Sequence, residues 1–432
     1  MRVLMFGWEF PPHISGGLGT ASYGLTKGMA SLGSVGVIFV VPKAWGDEDQ
    51  GVVRLVGANN IPVAFKTINY AGIKKSVNKL EVESRIIPYT DPEEYWKYTR
   101  TEADERKILV TTDDKGRIEF TGKYGLSLME EIRKYAIVAS VIATEYDFEI
   151  IHAHDWLAYP AGIAAARASG KPLVIHVHAT DFDRSGGNVN PEVYAIEKSG
   201  MEFADKIITV SNLTREIVIN KYGIDPGKVV TVYNAVDQVE HPESSSWQKG
   251  FDDKVVTFLG RITMQKGPEY FIEAAHRVLK VMKNVRFVMA GSGDMMDRMI
   301  RRAAALHITD RFHFTGFLRG NDVFRMLALS DVYIMPSVSE PFGISPLEAM
   351  QSNVPVIISK QSGVAEILTH AVKVDFWDID AMADAIYGIL NYPALSRMFI
   401  KNGREEVIAL KWENSARQVR KVYKEVLKSK IT

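Results

Sequence analysis

The chain has 432 residues, 52 Lys and Arg balanced by 52 Asp and Glu, and no cysteine. This length favours two domains, and 46% hydrophobic with 24% charged residues is typical of a folded globular protein. Zero net charge gives no general attraction to nucleic acid or an anionic membrane. The absence of cysteine excludes disulfides, thiol nucleophiles and Cys-ligated metal sites. An anionic ligand must therefore be held by local donors.

The apolar start of the chain is too short to be a targeting segment. Met1–Phe6 is followed at once by Gly7, Trp8 and Glu9, which does not fit a signal peptide. No apolar stretch reaches the roughly 20 residues that a spanning helix needs. We therefore expect a cytoplasmic protein with neither a membrane nor a nucleic-acid partner. The sequence gives no indication of its oligomeric state.

Short β-branched runs alternate with helical patterns along the chain, which predicts an α/β fold with parallel sheets. The first series of predicted strands is Val3–Phe6, Val35–Val41, Phe148–Ala153, Leu173–Val177, Lys206–Val210 and Val229–Val232. The second series is Val255–Leu259, Val285–Ala290, Phe312–Phe314, Val332–Met335 and Val354–Ile358. Helices are predicted over Thr20–Leu32, Pro268–Met282 and Asp378–Leu390, among others.

A polar, Ser-rich stretch over residues 241–250 separates the two series and is predicted to be a linker. It divides the chain into an N-terminal Rossmann-like domain, residues 1–245, and a C-terminal one, residues 250–410. Residues 43–123 are less regular and are predicted to be an insertion. Its β-like runs are Lys79–Ile87 and Ile108–Phe120, with a hairpin turn at Asp113–Gly116. The amphipathic segment 411–432 is predicted to pack as a helix on the N-terminal domain.

Two glycines, Gly16 and Gly17, follow the first predicted strand and precede a helix. Glycines at such a turn let the backbone approach a ligand, and the free N–H groups of the helix start can face an anion such as a diphosphate. The alternative is a glycine turn needed only for chain reversal. The turn matches neither of the common phosphate-binding glycine patterns.

Two cations, Arg261 and Lys266, follow the strand Val255–Leu259. A guanidinium and an ammonium group can neutralise a pyrophosphate. Their position after a strand favours this role, because ligands of such sheets bind at the carboxyl ends of the strands. The alternative is a pair of solvated loop cations.

Two glutamates, Glu340 and Glu348, follow the strand Val332–Met335. Glu340 has no evident local structural role, and its carboxylate can accept hydrogen bonds from hydroxyl groups; the alternative is a solvated loop acid. For Glu348 the alternative is a capping box, in which Ser345 caps a helix with Pro346 in its first turn.

Four of the ten histidines fall within 27 residues, at His152, His154, His176 and His178. Residues two apart on a strand face the same side, so each pair could chelate a metal. A metal site needs three or four converging ligands. We therefore rank it below polar closure of the strand ends and below a role for Asp155 and His178 in holding hydroxyl groups.

These motifs together resemble the GT-B glycosyltransferases, specifically the archaeal and bacterial glycogen (starch) synthases of glycosyltransferase family 5, with features of family 4. The carrying stretches are Gly16–Gly19, His152–Trp156, Phe258–Gly267 and Glu340–Glu348. The resemblance covers nearly the whole chain and implies two Rossmann-like domains with a cleft between them. The N-terminal domain would face the acceptor, and the C-terminal domain would bind the nucleotide sugar.

On the donor side, the resemblance implies that Gly16 and Gly17 approach the donor diphosphate. Arg261 and Lys266 would neutralise it, and Glu340 would contact the donor sugar.

The resemblance also implies that Glu348 holds the nucleotide ribose. Phe342, Gly343 and Ile344 would complete the donor site.

On the N-terminal domain, His178 would lie beside the donor sugar and Asp155 on the acceptor side. Two departures leave the donor base and the acceptor open. Bacterial glycogen synthases carry Lys and Asp where this chain has Ile14 and Thr20, and Cys where it has Phe342.

The activity that the resemblance implies is retaining transfer of glucose from ADP- or UDP-glucose to the non-reducing end of an α-1,4-glucan. No metal or other cofactor is expected, because Arg261 and Lys266 would take the role of a magnesium ion. The alternative is a family 4-type transfer to another acceptor, such as a sugar phosphate or a lipid.

Overall fold

The structure, a computed structural model, describes residues 1–13, 16–48, 51, 53–63, 79–83, 107–125, 127–238, 247 and 249–430. The strands of this part are β1 (Arg2–Phe6), β2 (Gly36–Val41), β3 (Arg54–Gly57), β4 (Lys79–Glu83), β5 (Lys107–Thr111), β6 (Ile150–His154), β7 (Leu173–Val177), β8 (Lys206–Thr209), β9 (Val229–Thr231), β10 (Lys254–Leu259), β11 (Val285–Ala290), β12 (Phe312–Gly316), β13 (Val332–Met335), β14 (Val356–Ser359) and β15 (Val372–Val374). The helices are α1 (Gly17–Ser31), α2 (Leu128–Glu145), α3 (Tyr159–Ser169), α4 (Asp181–Ser185), α5 (Pro191–Phe203), α6 (Asn212–Tyr222), α7 (Pro268–Val281), α8 (Met296–Ala305), α9 (Asn321–Ala328), α10 (Ser345–Gln351), α11 (Ile379–Asn391), α12 (Pro393–Ile408) and α13 (Trp412–Ser429).

Two parallel sheets form two α/β domains, which confirms the predicted fold class. The first has seven strands in the order β3-β2-β1-β6-β7-β8-β9, and the second has six in the order β12-β11-β10-β13-β14-β15. The strand order reverses beside β1 in one sheet and beside β10 in the other. In open α/β sheets, ligands bind at such reversals, outside the carboxyl ends of the strands. The loops after β1, β6, β10 and β13 are therefore the places to look for a site.

Apolar side chains cover both faces of the first sheet, as expected for a parallel sheet with helical crossovers. One face packs against α2, α3 and α5, and the other against α1 and α13. The second sheet has its own cores, on the α7 and α11 side and around α10. In the described part of the chain, no helix is long and apolar enough to span a membrane.

The last helix, α13, lies against α1 rather than against the second sheet. Two glycines of α1 permit the close approach, since a Cβ at Gly24 would lie 2.2 Å from the Trp412 ring and one at Gly28 would lie 2.5 Å from the Trp412 carbonyl oxygen. Trp412, Val419 and Tyr423 are buried in this contact. The chain thus returns to the N-terminal sheet after completing the second one.

Several sequence predictions need correction. The first helix begins at Gly17 and not at Thr20, and the short strands β3 and β15 were not predicted. β3 lies inside the expected insertion, residues 43–123, yet pairs with β2 as the edge of the large sheet. Four residues carry too little periodicity to reveal a strand. The antiparallel pair β4 and β5 and the turn at Asp113–Gly116 do lie in that region. Most of the expected linker, residues 241–246 and 248, lies outside the described residues.

Candidate functional site

The loops after β10 and β13 meet at the strand reversal of the second sheet. The backbone N–H of Val338 donates to the carbonyl of Gln265 at 2.9 Å, which ties the two loops together. Gly267 has φ +66°, and a Cβ there would lie 2.0 Å from the Pro336 carbonyl oxygen. Glycine is therefore required for this approach. The contact sets the predicted cations of one loop beside the predicted acid of the other.

Lys266 forms an ion pair with Glu340 across these loops. The two side chains are 21% and 9% exposed. Ser337 also donates from Oγ to Glu340 Oε2 at 3.3 Å. A partly desolvated ion pair of this kind is held more firmly than a surface pair. The structure therefore fixes the lysine charge at the carboxyl ends of the strands.

The backbone of Glu340 is anchored from the other side. Its N–H donates to the Gln361 carbonyl at 3.0 Å, and its carbonyl accepts from the Gly363 N–H at 2.8 Å. The carboxylate position thus depends on the loop after β14 as well as on its own loop. Glu340 is not a freely solvated loop acid.

Arg261 differs from Lys266 in being unengaged. Its side chain is exposed, and it makes no ion pair or side-chain hydrogen bond with the described residues. The structure therefore brings one paired and one free cation to the same loop. Together they offer five guanidinium donors and an ammonium group to an anion.

The α1 N-terminus has the features of an anion site. Gly16 precedes the helix in an extended conformation with no side-chain cap, and no acidic residue lies in the first turn. A Cβ at Gly16 or Gly17 would meet no atom of the described residues within 4 Å, so this part of the chain leaves the space in front of the turn open to a ligand. Ile14 and Ser15, which precede it, lie outside the described residues.

The segment from Phe342 to Glu348 differs in part from expectation. The Phe342 ring is buried in the core around α10, so only its backbone is available to a ligand. Ile344 packs against the cores of both domains. Among the described residues, the N–H groups of Gly343 and Ile344 have no partner, which leaves two donors at the start of α10.

The capping box expected at α10 is absent. The helix is preceded by Ile344 without a side-chain cap, and Ser345 is inside the helix, with its Oγ 2.8 Å from Tyr333 Oη. Glu348 thus lacks the structural role that competed with ligand binding. Burial raises its pKa to about 7, and Asp237 contributes. Its ionisation would be favoured by a ligand that donates hydrogen bonds to it.

His178 follows β7 and is half-buried, with Nε2 2.9 Å from His154 Nδ1. Burial, aided by the nearby Arg184 charge, lowers the pKa of His178 to about 3. The imidazole is therefore neutral near pH 7, and it can donate or accept a hydrogen bond according to its tautomer.

The other three histidines form a buried row with His178 on the face of the sheet covered by α13. His152 Nδ1 lies 2.6 Å from Tyr423 Oη, and burial lowers the pKa of His152, His154 and His176 well below the usual value. One nitrogen from each of these three lies within 4.8 Å of the others, so the row could hold a metal. The His152 and His176 rings are stacked at 9°, however. The nitrogen lone pairs of these two rings lie in nearly parallel planes and therefore do not converge on one ion. The metal interpretation stays below polar closure of the strand ends and below the binding of hydroxyl groups.

Asp155 lies in a buried network rather than on an open surface. It is 4% exposed, and its Oδ2 accepts from Arg184 at 2.7 Å. Arg184 also donates to Glu197 at 3.1 Å, and Glu197 contacts the Tyr222 hydroxyl. Burial raises the pKa of Asp155 while Arg184 opposes the rise. Asp155 therefore orients Arg184 beside His178, and its position on the acceptor side stays a prediction.

Sequence reasoning missed Arg184 and Glu197, which lie 29 and 42 positions after Asp155 in no recognisable motif. It also missed two contacts between the domains. Ser339 donates to Asp183 at 2.6 Å, and Glu366 accepts from the N–H groups of Asn212 and Leu213 at the start of α6. These contacts place α4, which follows His178, against the Met264–Lys266 segment.

Comparison with known proteins agrees with this geometry. A family model described as "Glycosyl transferases group 1" matches residues 241–406, and one described as "Glycosyltransferase Family 4" matches residues 105–239. The chain is a GT-B glycosyltransferase. Its two matched regions correspond to the two sheets, apart from the first strands of the N-terminal one.

Similar proteins span the full length of this glycosyltransferase. An uncharacterized glycosyltransferase of Methanocaldococcus jannaschii is 27% identical, with 98% of each chain covered. A glycogen synthase of Mycobacterium tuberculosis is 22% identical, with 98% of this chain and 94% of that protein covered. Among solved structures, sucrose-phosphate synthase from Thermosynechococcus elongatus has a TM-score of 0.71 at 18% identity, with 99% of each chain covered.

Proposed function

We propose that this glycosyltransferase moves glucose from ADP- or UDP-glucose to the non-reducing end of an α-1,4-glucan, with retention of configuration. The observation that carries the donor part is the joined pair of loops that presents Arg261, Lys266 and Glu340 at the strand reversal. The glucan acceptor and the family 5 resemblance are supported by the His152–Trp156 motif and by the full-length likeness to a protein named glycogen synthase.

The difficult step is cleavage of the bond between the sugar C1 and the diphosphate oxygen. Arg261, Lys266 and the free N–H groups at the α1 N-terminus would stabilise the negative charge that grows on the leaving diphosphate. Such stabilisation is larger in the transition state than in the ground state and therefore raises kcat. These residues would do this without a metal ion.

If the transfer occurs in a single step, without a covalent sugar–enzyme intermediate, retention requires the acceptor oxygen to attack the face from which the diphosphate leaves. The C1–O bond to the diphosphate breaks, the C1–O bond to the acceptor forms, and the acceptor proton passes to the leaving diphosphate. Glu340, beside Lys266, would accept hydrogen bonds from the donor sugar hydroxyls, and neutral His178 would lie beside that sugar. Closure of the two domains would exclude water, which would otherwise hydrolyse the donor.

A donor–acceptor matrix tests this function. Labelled ADP-glucose and UDP-glucose are each incubated with glycogen, with maltooligosaccharides and without acceptor. Labelled glycogen from either donor is the expected result. Nucleotide binding without glycogen labelling would reject the glucan acceptor and favour the family 4-type alternative, in which a sugar phosphate or a lipid is glycosylated. Loss of activity with EDTA would reject the metal-free mechanism.

A further inference from the structure

A cleft of about 360 Å³ lies beside the loop between β1 and α1. Residues of that loop, of the loop after β2 and of the segment 122–124 line it, together with Arg319 of the C-terminal domain. The same loop continues to Gly16 and Gly17. The cleft therefore lies along the loop that leads to the proposed donor site, and it receives side chains from both domains.

Four of the twelve residues that line the cleft are aromatic. Trp45 and Tyr124 are 46% and 50% exposed, and Trp8 is buried behind them. Flat apolar surfaces with a few polar groups are typical of pockets for small ligands, including sugar rings. The Trp8 indole Nε1 is buried without a hydrogen-bond partner in the described part of the chain. An unpaired buried donor beside a cleft can donate to a ligand or a water molecule that enters it.

Three cations, Lys43, Lys123 and Arg319, also line the cleft. None of them pairs with a carboxylate of the described residues. Lys43 Nζ lies 4.1 Å from the centre of the Trp45 ring, and the Arg319 guanidinium lies 5.3 Å from that of Phe317. These cation–π contacts orient the side chains without neutralising them, so the cations keep their charge for a ligand.

Two acidic residues, Glu9 and Glu48, also line the cleft. The Glu48 carboxylate accepts from the N–H groups of Trp45 and Gly46 at 2.6 and 2.9 Å, and Glu9 is 8% exposed. Carboxylates accept hydrogen bonds from hydroxyl groups. The cleft thus combines aromatic faces, hydroxyl acceptors and three unpaired cations.

We propose that this cleft binds a phosphorylated hexose, with the ring against the aromatic side chains and the phosphate on Lys43, Lys123 and Arg319. The binding itself does not depend on the proposed transferase function; only the role of the ligand, as acceptor or regulator, rests on that function. Such a ligand has two sources: an acceptor that the enzyme glycosylates, or a metabolite that regulates transfer to another acceptor. Because the loop that lines the cleft leads to the donor site, we expect either ligand to act near the transferred sugar.

Isothermal titration calorimetry on the full chain tests binding directly. Glucose 1-phosphate, glucose 6-phosphate, glucose and inorganic phosphate are titrated into protein with saturating ADP or UDP. At least one hexose phosphate is expected to bind about tenfold more tightly than glucose, and to weaken as salt is added. Equal affinity for glucose and both esters, or equal affinity for inorganic phosphate and the esters, would overturn the proposal.

Lys123→Met and Arg319→Met provide the residue test. Each is expected to weaken hexose phosphate binding about tenfold and leave nucleotide binding unchanged. The control is Lys171→Met. Lys171 is an exposed lysine that precedes β7, so it lies at the end of the sheet where the strands begin, whereas the cleft lies beside loops that follow strands. Unchanged hexose phosphate binding in both cleft variants would reject the site. Equal loss of nucleotide binding would assign the cations to the donor site and reject it too.

Mass spectrometry of the reaction distinguishes the two sources. A disaccharide phosphate identifies the ligand as an acceptor, and an unchanged hexose phosphate that alters the rate of glycogen labelling identifies it as a regulator. Both support binding in the cleft. Failure of the transferase function would appear separately, as absence of nucleotide binding and of donor turnover.

Discussion

Lys266 and Glu340 form an ion pair although 74 positions separate them, and the pair stands where the strand order of the second sheet reverses. Arg261, on the same loop as Lys266, is exposed and has no carboxylate partner among the described residues. One cation is thus fixed before a ligand arrives, and the other is free to adjust. A fixed charge loses little conformational freedom when it meets an anion, which is the physical basis of preorganisation.

Replacement of either cation by alanine should impair turnover. Lys266→Ala and Arg261→Ala are each expected to lower kcat by about 10²-fold or more at saturating donor, by analogy with the loss of an oxyanion donor. Steady-state kinetics with the active donor measures this, and Lys171→Ala serves as the control. Near-normal turnover in both variants would exclude them from the diphosphate site.

Gly17→Ala should separate binding from stability. Among the residues that the structure describes, a Cβ at this position meets no atom within 4 Å, and alanine is a better helix former than glycine. The melting temperature is therefore expected to stay the same or rise. The added methyl would occupy the space proposed for the diphosphate, so KM for the donor should rise about tenfold or more. Gly250→Ala, also in open space, should change neither quantity. An unchanged KM in Gly17→Ala would reject the close approach.

Glu366→Ala should loosen the contact between the domains. The carboxylate accepts from the Asn212 and Leu213 N–H groups at 2.9 and 2.7 Å, and from the Tyr233 hydroxyl at 2.9 Å. Loss of a cap of this kind costs about 1 kcal/mol. Urea unfolding should show that decrease, and small-angle scattering should show a larger radius of gyration. Glu216→Ala, an exposed glutamate on α6, is the control, and equal scattering from Glu366→Ala and wild type would contradict the prediction.

The buried histidines should make stability fall in acid. Burial depresses the pKa of His152, His154, His176 and His178 below the ordinary 6.5. Below pH 6.5 the unfolded chain therefore binds more protons than the folded one. The contribution of these histidines to the free energy of unfolding is complete above pH 6.5. It decreases as the pH falls from 6.5 toward 3.

His176→Leu should reduce this dependence. Both ring nitrogens of His176 are buried without a partner among the described residues, so an apolar replacement of similar size should not destabilise the fold at pH 7. The slope of unfolding free energy between pH 5 and 6.5 should fall by up to about 1.4 kcal/mol per pH unit, the value for one proton. His13→Leu, at an exposed histidine, is the control. An unchanged slope in His176→Leu would show that His176 does not stay neutral in the folded protein.

Much of the fold was predictable because buried parallel strands are continuous apolar runs. Eleven predicted strands correspond to β1, β2 and β6–β14, with ends displaced by at most two residues. β3 and β15 were not predicted because they have only four and three residues. Their position is set by pairing with a neighbouring strand and not by a pattern of their own. The start of α1 was placed three residues late, since glycine is a poor helix former and only the open turn before it allows the helix to begin there.

Site residues could be predicted from the sequence where they lie soon after the end of a strand. Lys266 and Glu340 follow neighbouring strands, so their approach follows from the general rule for strand reversals. The partners of Asp155 could not be predicted, because Arg184 and Glu197 reach it through the packing of α4 and α5. The capping box at α10 was wrong because the Tyr333 hydroxyl, on a neighbouring strand, engages Ser345 instead.

The return of α13 to the first sheet means that the chain crosses between the domains twice, once between β9 and β10 and once between α12 and α13. Two bodies joined at two points rotate mainly about the line through those points. Opening and closing of the cleft should therefore follow one axis. A chain cut after Ile408 would keep only one connection, and it would expose the apolar face now covered by Trp412, Val419 and Tyr423.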